Sequence, residues 1–126
     1  MKEETVENIL HAWGKEYKKG FMGYFVLLFL KERPMYGFEL SRKFSEISDG
    51  TILFQESGIY QFLKKMSRCG VVLGEWKESE RGPRRRYYKL QDSGYLLLDE
   101  FTRRYILPIL RTAGRLVETH YPEQNT

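Results

Sequence analysis

Residues 57–90 read SGIYQFLKKMSRCGVVLGEWKESERGPRRRYYKL, and the fold turns on how this stretch is read. Ile59, Phe62, Leu63 and Met66 stand at i, i+3, i+4 and i+7, the spacing that lines one face of a helix. That spacing predicts a helix over residues 57–69, with Gly70 as the residue just past its end. Its other face gathers Ser57, Tyr60, Gln61, Lys64, Lys65 and Arg68, with no acid among them. Residues 71–77 then have the β-branched and aromatic character of a strand. Residues 78–83 are a polar turn containing Gly82-Pro83, and residues 85–90 read as a second strand. Along that strand Arg86, Tyr88 and Leu90 point to one side, Tyr87 and Lys89 to the other. Two strands around one turn make an antiparallel hairpin. Its tip is flanked by Arg81, Arg84, Arg85 and Arg86.

Upstream, residues 5–19 place Val6, Ile9, Leu10, Trp13 and Tyr17 at helical spacing, with Thr5 as N-cap and Gly20 as stop. Residues 21–32 predict a second helix, apolar nearly all round and so central to a core; Arg33-Pro34 ends it. Residues 36–48 restart the period with Tyr36, Leu40, Phe44 and Ile47. A turn at Ser48-Asp49-Gly50 and a short extended stretch, 51–54, lead into the helix at 57.

Downstream, a long last helix starts at Asp92. Leu98, Phe101, Tyr105, Ile109 and Leu116 continue one stripe for about five turns. Pro108 is expected to kink this helix without breaking it, the stripe staying in phase. Leu96, Leu97, Ile106, Leu107, Leu110 and Val117 lie off the stripe. So much apolar surface calls for a helix from a second copy, with the five stripe residues at the dimer interface.

A chain of 126 residues, 41% hydrophobic and 30% charged, is one domain with a core of its own. The longest apolar run, 21–30, is about half of what a membrane-spanning helix needs, so no membrane partner is expected. The charged opening residues lack a signal-type apolar region, and a single cysteine, Cys69, excludes an internal disulfide and a cysteine zinc site. A cytoplasmic location is the expectation. No enzyme is expected either. His11 and His120 are far apart, Glu75, Glu78 and Glu80 sit on or beside the hairpin, and Gly20 and Gly23 lack the Lys-Ser/Thr of a phosphate loop. No metal and no cofactor are expected.

The net charge is +4, and its placement says more than its size. Residues 1–19 and 20–55 each balance four basic against four acidic side chains. Residues 56–90 carry nine basic against four acidic, and residues 91–126 carry four against five. The whole excess therefore lies on one helix and one hairpin, the footprint of a polyanion-binding face.

The element order is helix, helix, turn, helix, hairpin, long helix. It predicts a mainly α fold with a small β-hairpin: a winged helix-turn-helix plus a long C-terminal dimerisation helix. Residues 1–19 would be an extra helix, 20–91 the winged unit, and 92–126 the dimerisation helix and tail. The third helix of such a unit fits the major groove of double-stranded DNA. Lys64, Lys65 and Arg68 would neutralise phosphates, and Gln61 could bond an adenine edge bidentately. Tyr36, Ser57, Tyr60 and Lys89 complete the expected interface, and Arg84, Arg85 and Arg86 would follow the backbone or enter the minor groove. The alternative is a winged-helix protein–protein adaptor, which would show apolar or mixed-charge residues on that helix. RNA fits less well, since its A-form major groove excludes a helix.

The chain also resembles the PadR family of transcriptional regulators. The resemblance rests on Met35-Tyr36-Gly37-Phe38-Glu39-Leu40, on Ser57-Gly58-Ile59-Tyr60 with Leu63 and Gly70, and on Trp76 with the wing run from Gly82 to Leu90. Asp92-Ser93-Gly94 sits where the family opens its last helix. The resemblance implies a homodimeric repressor on a pseudo-palindromic operator, of the short type with a single C-terminal helix. Some members of that type bind flat aromatic drugs between subunits. A small aromatic effector would here find Trp13, Tyr17, Phe21, Phe25, Phe101 and Tyr105, unless these rings simply fill the core and the dimer interface. The chain departs from the family pattern at Gln55-Glu56-Ser57-Gly58, where Ser-Pro-Gly-Thr is common, and at Gln61, where proline is common.

Overall fold

The computed structural model describes residues 5–124. The charged opening segment, 1–4, lies outside the described residues. Helix α1 runs unbroken over Val6–Glu32. The stop expected at Gly20 is absent. A glycine ends a helix by adopting a left-handed conformation, and among the described residues the positive-φ glycines are Gly50, Gly70 and Gly82. Gly20 stays helical, at a cost of about 1 kcal/mol relative to alanine. Burial of Val26, Leu27, Phe29 and Leu30 further along the same helix offsets that cost. The ends fall where the sequence puts them: Thr5 accepts a 3.1 Å hydrogen bond from the Asn8 N–H, and Arg33 before Pro34 is extended.

Strand β1, Met35–Tyr36, follows, then α2, Gly37–Ile47. Tyr36 is therefore the N-cap of α2 and not a residue of its apolar stripe. Its N–H donates to Glu39 Oε1 at 3.3 Å. The stretch 51–54 forms no strand. Ser48 Oγ organises it, donating to the Phe44 carbonyl at 2.7 Å and accepting from the Ile52 N–H at 2.9 Å.

Helix α3, Glu56–Arg68, leads through Gly70 to β2, Val72–Lys77, and β3, Arg85–Leu90. The expected hairpin is present, with Trp76 opposite Arg86 and Gly74 opposite Tyr88. It has a third strand, since Met35 and Tyr36 pair with Tyr88 and Tyr87 in the order β1-β3-β2. The core lies between α1, α2, α3 and this sheet, around Leu30, Met35, Leu40, Ile59 and Leu63. Leu98 enters it from the last helix.

That last helix comes in three pieces: α4 over Asp92–Phe101, a π-helical turn over Thr102–Ile106, and α5 over Leu107–His120. Pro108 has no N–H to donate, and its ring crowds the carbonyl four residues back, at Arg104. The wider π turn lies where that strain would fall. It adds about one residue to the turn, so everything after it is rotated by about 100°. The stripe therefore does not stay in phase. Leu98 is 2% exposed and Ile106 8%, whereas Tyr105 is 61% exposed. Leu98 thus belongs to the core and not to an outer face. α5 buries none of its residues.

Candidate nucleic-acid interface

Amphipathicity sets the direction of α3. Ile59 and Leu63 are fully buried, and Phe62 and Met66 pack partly against the core. The opposite face must then look outward, and Ser57, Tyr60, Gln61, Lys64, Lys65 and Arg68 are all exposed on it. Among the described residues, Lys64, Lys65 and Arg68 have no carboxylate within ion-pair distance. The helix starts one residue earlier than its spacing suggests, so Glu56 opens it.

Tyr60 is less free than its neighbours. Its ring lies against the α-carbon of Gly37, and a β-carbon there would overlap the ring. Burial pushes the Tyr60 phenol above its ordinary pKa, and the Glu56 carboxylate beside it pushes the same way.

The wing arginines are held on aromatic rings. Arg84 and Arg86 each lie 5.6 Å from the centroid of Trp76, and Arg86 lies 5.8 Å from that of Tyr88. Arg85 takes the other route. It sits 4.6 Å over the Tyr36 ring and donates to the Tyr36 hydroxyl at 3.0 Å. Such contacts engage the guanidinium faces and leave in-plane N–H groups for phosphate. Gly74 admits Arg86: a β-carbon at Gly74 would collide with its guanidinium. At the tip, Gly82 has φ 104, a conformation that favours glycine. Lys89 is engaged elsewhere, 3.2 Å from Glu75.

Between the N-termini of α2 and α3 and the wing lies a cleft of about 410 Å³. Tyr36, Phe38, Glu56, Tyr60, Trp76 and the arginines 84–86 line it. The structure thus brings Tyr36, Tyr60, Arg84, Arg85 and Arg86 to one place. Gln61, Lys64, Lys65 and Arg68 lie further along the exposed face of α3, and Lys89 lies on the outer sheet face. Sequence reasoning missed Trp76 and Gly74 as arginine supports. Strand alternation carried the signal, because both share a face with Tyr88 and Arg86.

A second, apolar cavity of about 310 Å³ lies behind α3. Gly20, Tyr24, Phe62, Met66, Leu97 and Phe101 are among its walls. Of the six rings expected at an effector site, Phe101 alone lines it. Tyr17, Phe21 and Phe25 instead stack along α1 with centroids 5.5 Å apart, and Phe25 meets Phe44. Trp13 is 74% exposed. Among the described residues, no helix is long and apolar enough to cross a membrane.

Three helices, a small antiparallel sheet and a basic wing beside an exposed polar helix define a winged-helix protein. The sequence model of the PadR-like transcriptional regulator family matches residues 26–100, more than half of the chain, and the chain belongs to that family. Among solved structures, it resembles a PadR-like transcriptional regulator of Bacillus cereus. The two are 28% identical with a TM-score of 0.65, over 78% of this chain and 93% of that one. Two others resemble it in fold alone. A PadR family regulator of Eggerthella lenta is 23% identical with a TM-score of 0.68, covering 90% of this chain and 96% of that one. Bacillus subtilis PadR, solved in complex with operator DNA, is 24% identical with a TM-score of 0.61, covering 66% and 47%.

Proposed function

We propose that the chain is a homodimeric, sequence-specific DNA-binding regulator of the cytoplasm that represses by occupying a pseudo-palindromic operator. One observation carries this reading: the uncompensated Lys64, Lys65 and Arg68 on α3 share a side of the molecule with three arginines braced on the wing. α3 enters the major groove, where Gln61 meets a base and Lys64, Lys65 and Arg68 meet phosphates. Ser57 and Tyr60 add hydroxyl donors. The wing, 78–86, follows the backbone or the minor groove through Arg84, Arg85 and Arg86. The Bacillus subtilis neighbour was itself solved with operator DNA, which supports the assignment. An adaptor would not need so cationic a face.

The dimer reading is supported by two uncovered apolar faces. One is the first half of α1, with Val6, Ile9, Leu10 and Trp13; the other is α5 with the end of the π turn, with Tyr105, Ile109, Leu116 and Val117. The 14 residues of α5 span about 21 Å, as do the first four turns of α1. Glu7 on α1 and Arg111 and Arg115 on α5 suit an antiparallel seat of one copy's α1 on the other's α5. Tyr105, Ile109 and Leu116 lie in this interface, with Phe101 at its edge. A small aromatic effector would suit the cavity behind α3, where it would touch Phe62 and Met66 of the recognition helix and Leu97 of α4 together.

The test is selection from random duplex DNA at two salt concentrations. An enriched palindrome whose binding weakens steeply with salt is the expected result. Binding lost at moderate salt with no enrichment would leave only a non-specific cationic face, and the adaptor reading would replace this one.

A further inference from the structure

The carboxylate of Glu56 is an anomaly on a phosphate-binding side. It opens the recognition helix and lines the same cleft as Arg84, Arg85 and Arg86. Yet the arginines rest on Trp76 and Tyr36, and among the described residues none forms an ion pair with Glu56. An exposed carboxylate in that place repels any phosphate brought against it. Bound DNA must therefore offer it something else.

We infer that Glu56 reads a base: it accepts a hydrogen bond from the exocyclic amine of a cytosine at one position of each half-site. This rests on the DNA-binding reading above and adds to it a specificity-determining residue. The N-terminal residues of a recognition helix are those that reach base edges in the major groove. The helix dipole favours a charged carboxylate in the first turn, and an ionised carboxylate only accepts hydrogen bonds. The major groove offers two donors, the N4 amine of cytosine and the N6 amine of adenine. Adenine sets its N7 acceptor beside the amine, facing the second carboxylate oxygen; cytosine presents no such acceptor on its own edge. Tyr60, one turn on and keyed against Gly37, flanks the carboxylate and limits its swing.

The test is duplex selection with the full-length wild type, Glu56→Gln and Glu56→Ala, each first shown to have the wild-type sedimentation and circular dichroism. The wild type should enrich one cytosine per half-site. Glu56→Gln should shift that single position to adenine, whose N6 and N7 an amide pairs with, and leave the rest of the motif and its spacing unchanged. Glu56→Ala should lose preference there without gaining a new one. On matched duplexes, changing that cytosine to adenine should weaken wild-type binding roughly tenfold and leave Glu56→Ala nearly indifferent. An enriched palindrome that all three proteins share would overturn the role of Glu56 and leave the regulator reading standing. Failure of the wild type to enrich any sequence would overturn both.

Discussion

The Tyr60 ring rests on the bare α-carbon of Gly37, so the recognition helix is keyed to the first turn of α2 through a contact only glycine permits. Gly37→Ala should overpack this junction and cost about 1–3 kcal/mol in urea unfolding. Adding Tyr60→Ala should recover much of the loss, because the clash then has no second partner. Additive losses in that double-mutant cycle would show that the contact does not couple the two helices.

The same tyrosine gives a pH dependence. Its phenol is raised in the folded protein above the ordinary value of 10.0, so the native state keeps a proton that the unfolded chain gives up. The resulting stability is fully present below pH 10.0 and is lost as pH rises through the folded pKa. Tyr60→Phe should flatten this part of the stability curve, as read by urea midpoints at pH 9 to 11.

Trp76 braces two arginines, so Trp76→Ala should weaken DNA binding several-fold, at about 0.5–1 kcal/mol for each exposed cation–π contact. The melting temperature and oligomeric state should hardly change. In a Trp13→Phe background the fluorescence of Trp76 should respond to DNA, and an unaltered spectrum would place the wing away from the duplex.

Lys64→Ala should reduce affinity for every sequence alike and lower the salt slope by about one. An unchanged slope would remove Lys64 from the phosphate contacts.

The two sides of the last helix predict opposite behaviour. Tyr105→Asp should yield folded monomers by sedimentation, whereas Leu98→Ala should cost about 2–5 kcal/mol of stability by opening a cavity in the core. Dimers of Tyr105→Asp would move the interface elsewhere.

The elements legible in the sequence are those with a strong period. α3 and the β2–β3 hairpin announce themselves by spacing and alternation, and so does most of the phosphate-facing surface. Three features carried no such signal. Gly20 looks like a stop, but stopping depends on a backbone conformation that composition does not encode. β1 is two residues long, too short for any alternation, and exists because β3 offers it an edge. The π turn has no sequence period, although Pro108 marked the neighbourhood. At the site, placing the start of α3 one residue late set Glu56 outside the helix, and treating Trp76 as strand packing hid its arginines.

The π turn has a geometric consequence beyond the proline it accommodates. A helix with one residue too many in a single turn acts as a fixed rotation between its two ends. The side of α5 offered to another molecule is thus set by a residue count at 102–106 and not by which residues stand there. Deleting one of those five would leave composition, charge and wing untouched. It would still swing Ile109 and Leu116 by about a quarter turn about the axis, and with them the angle at which a second copy could present its own recognition helix.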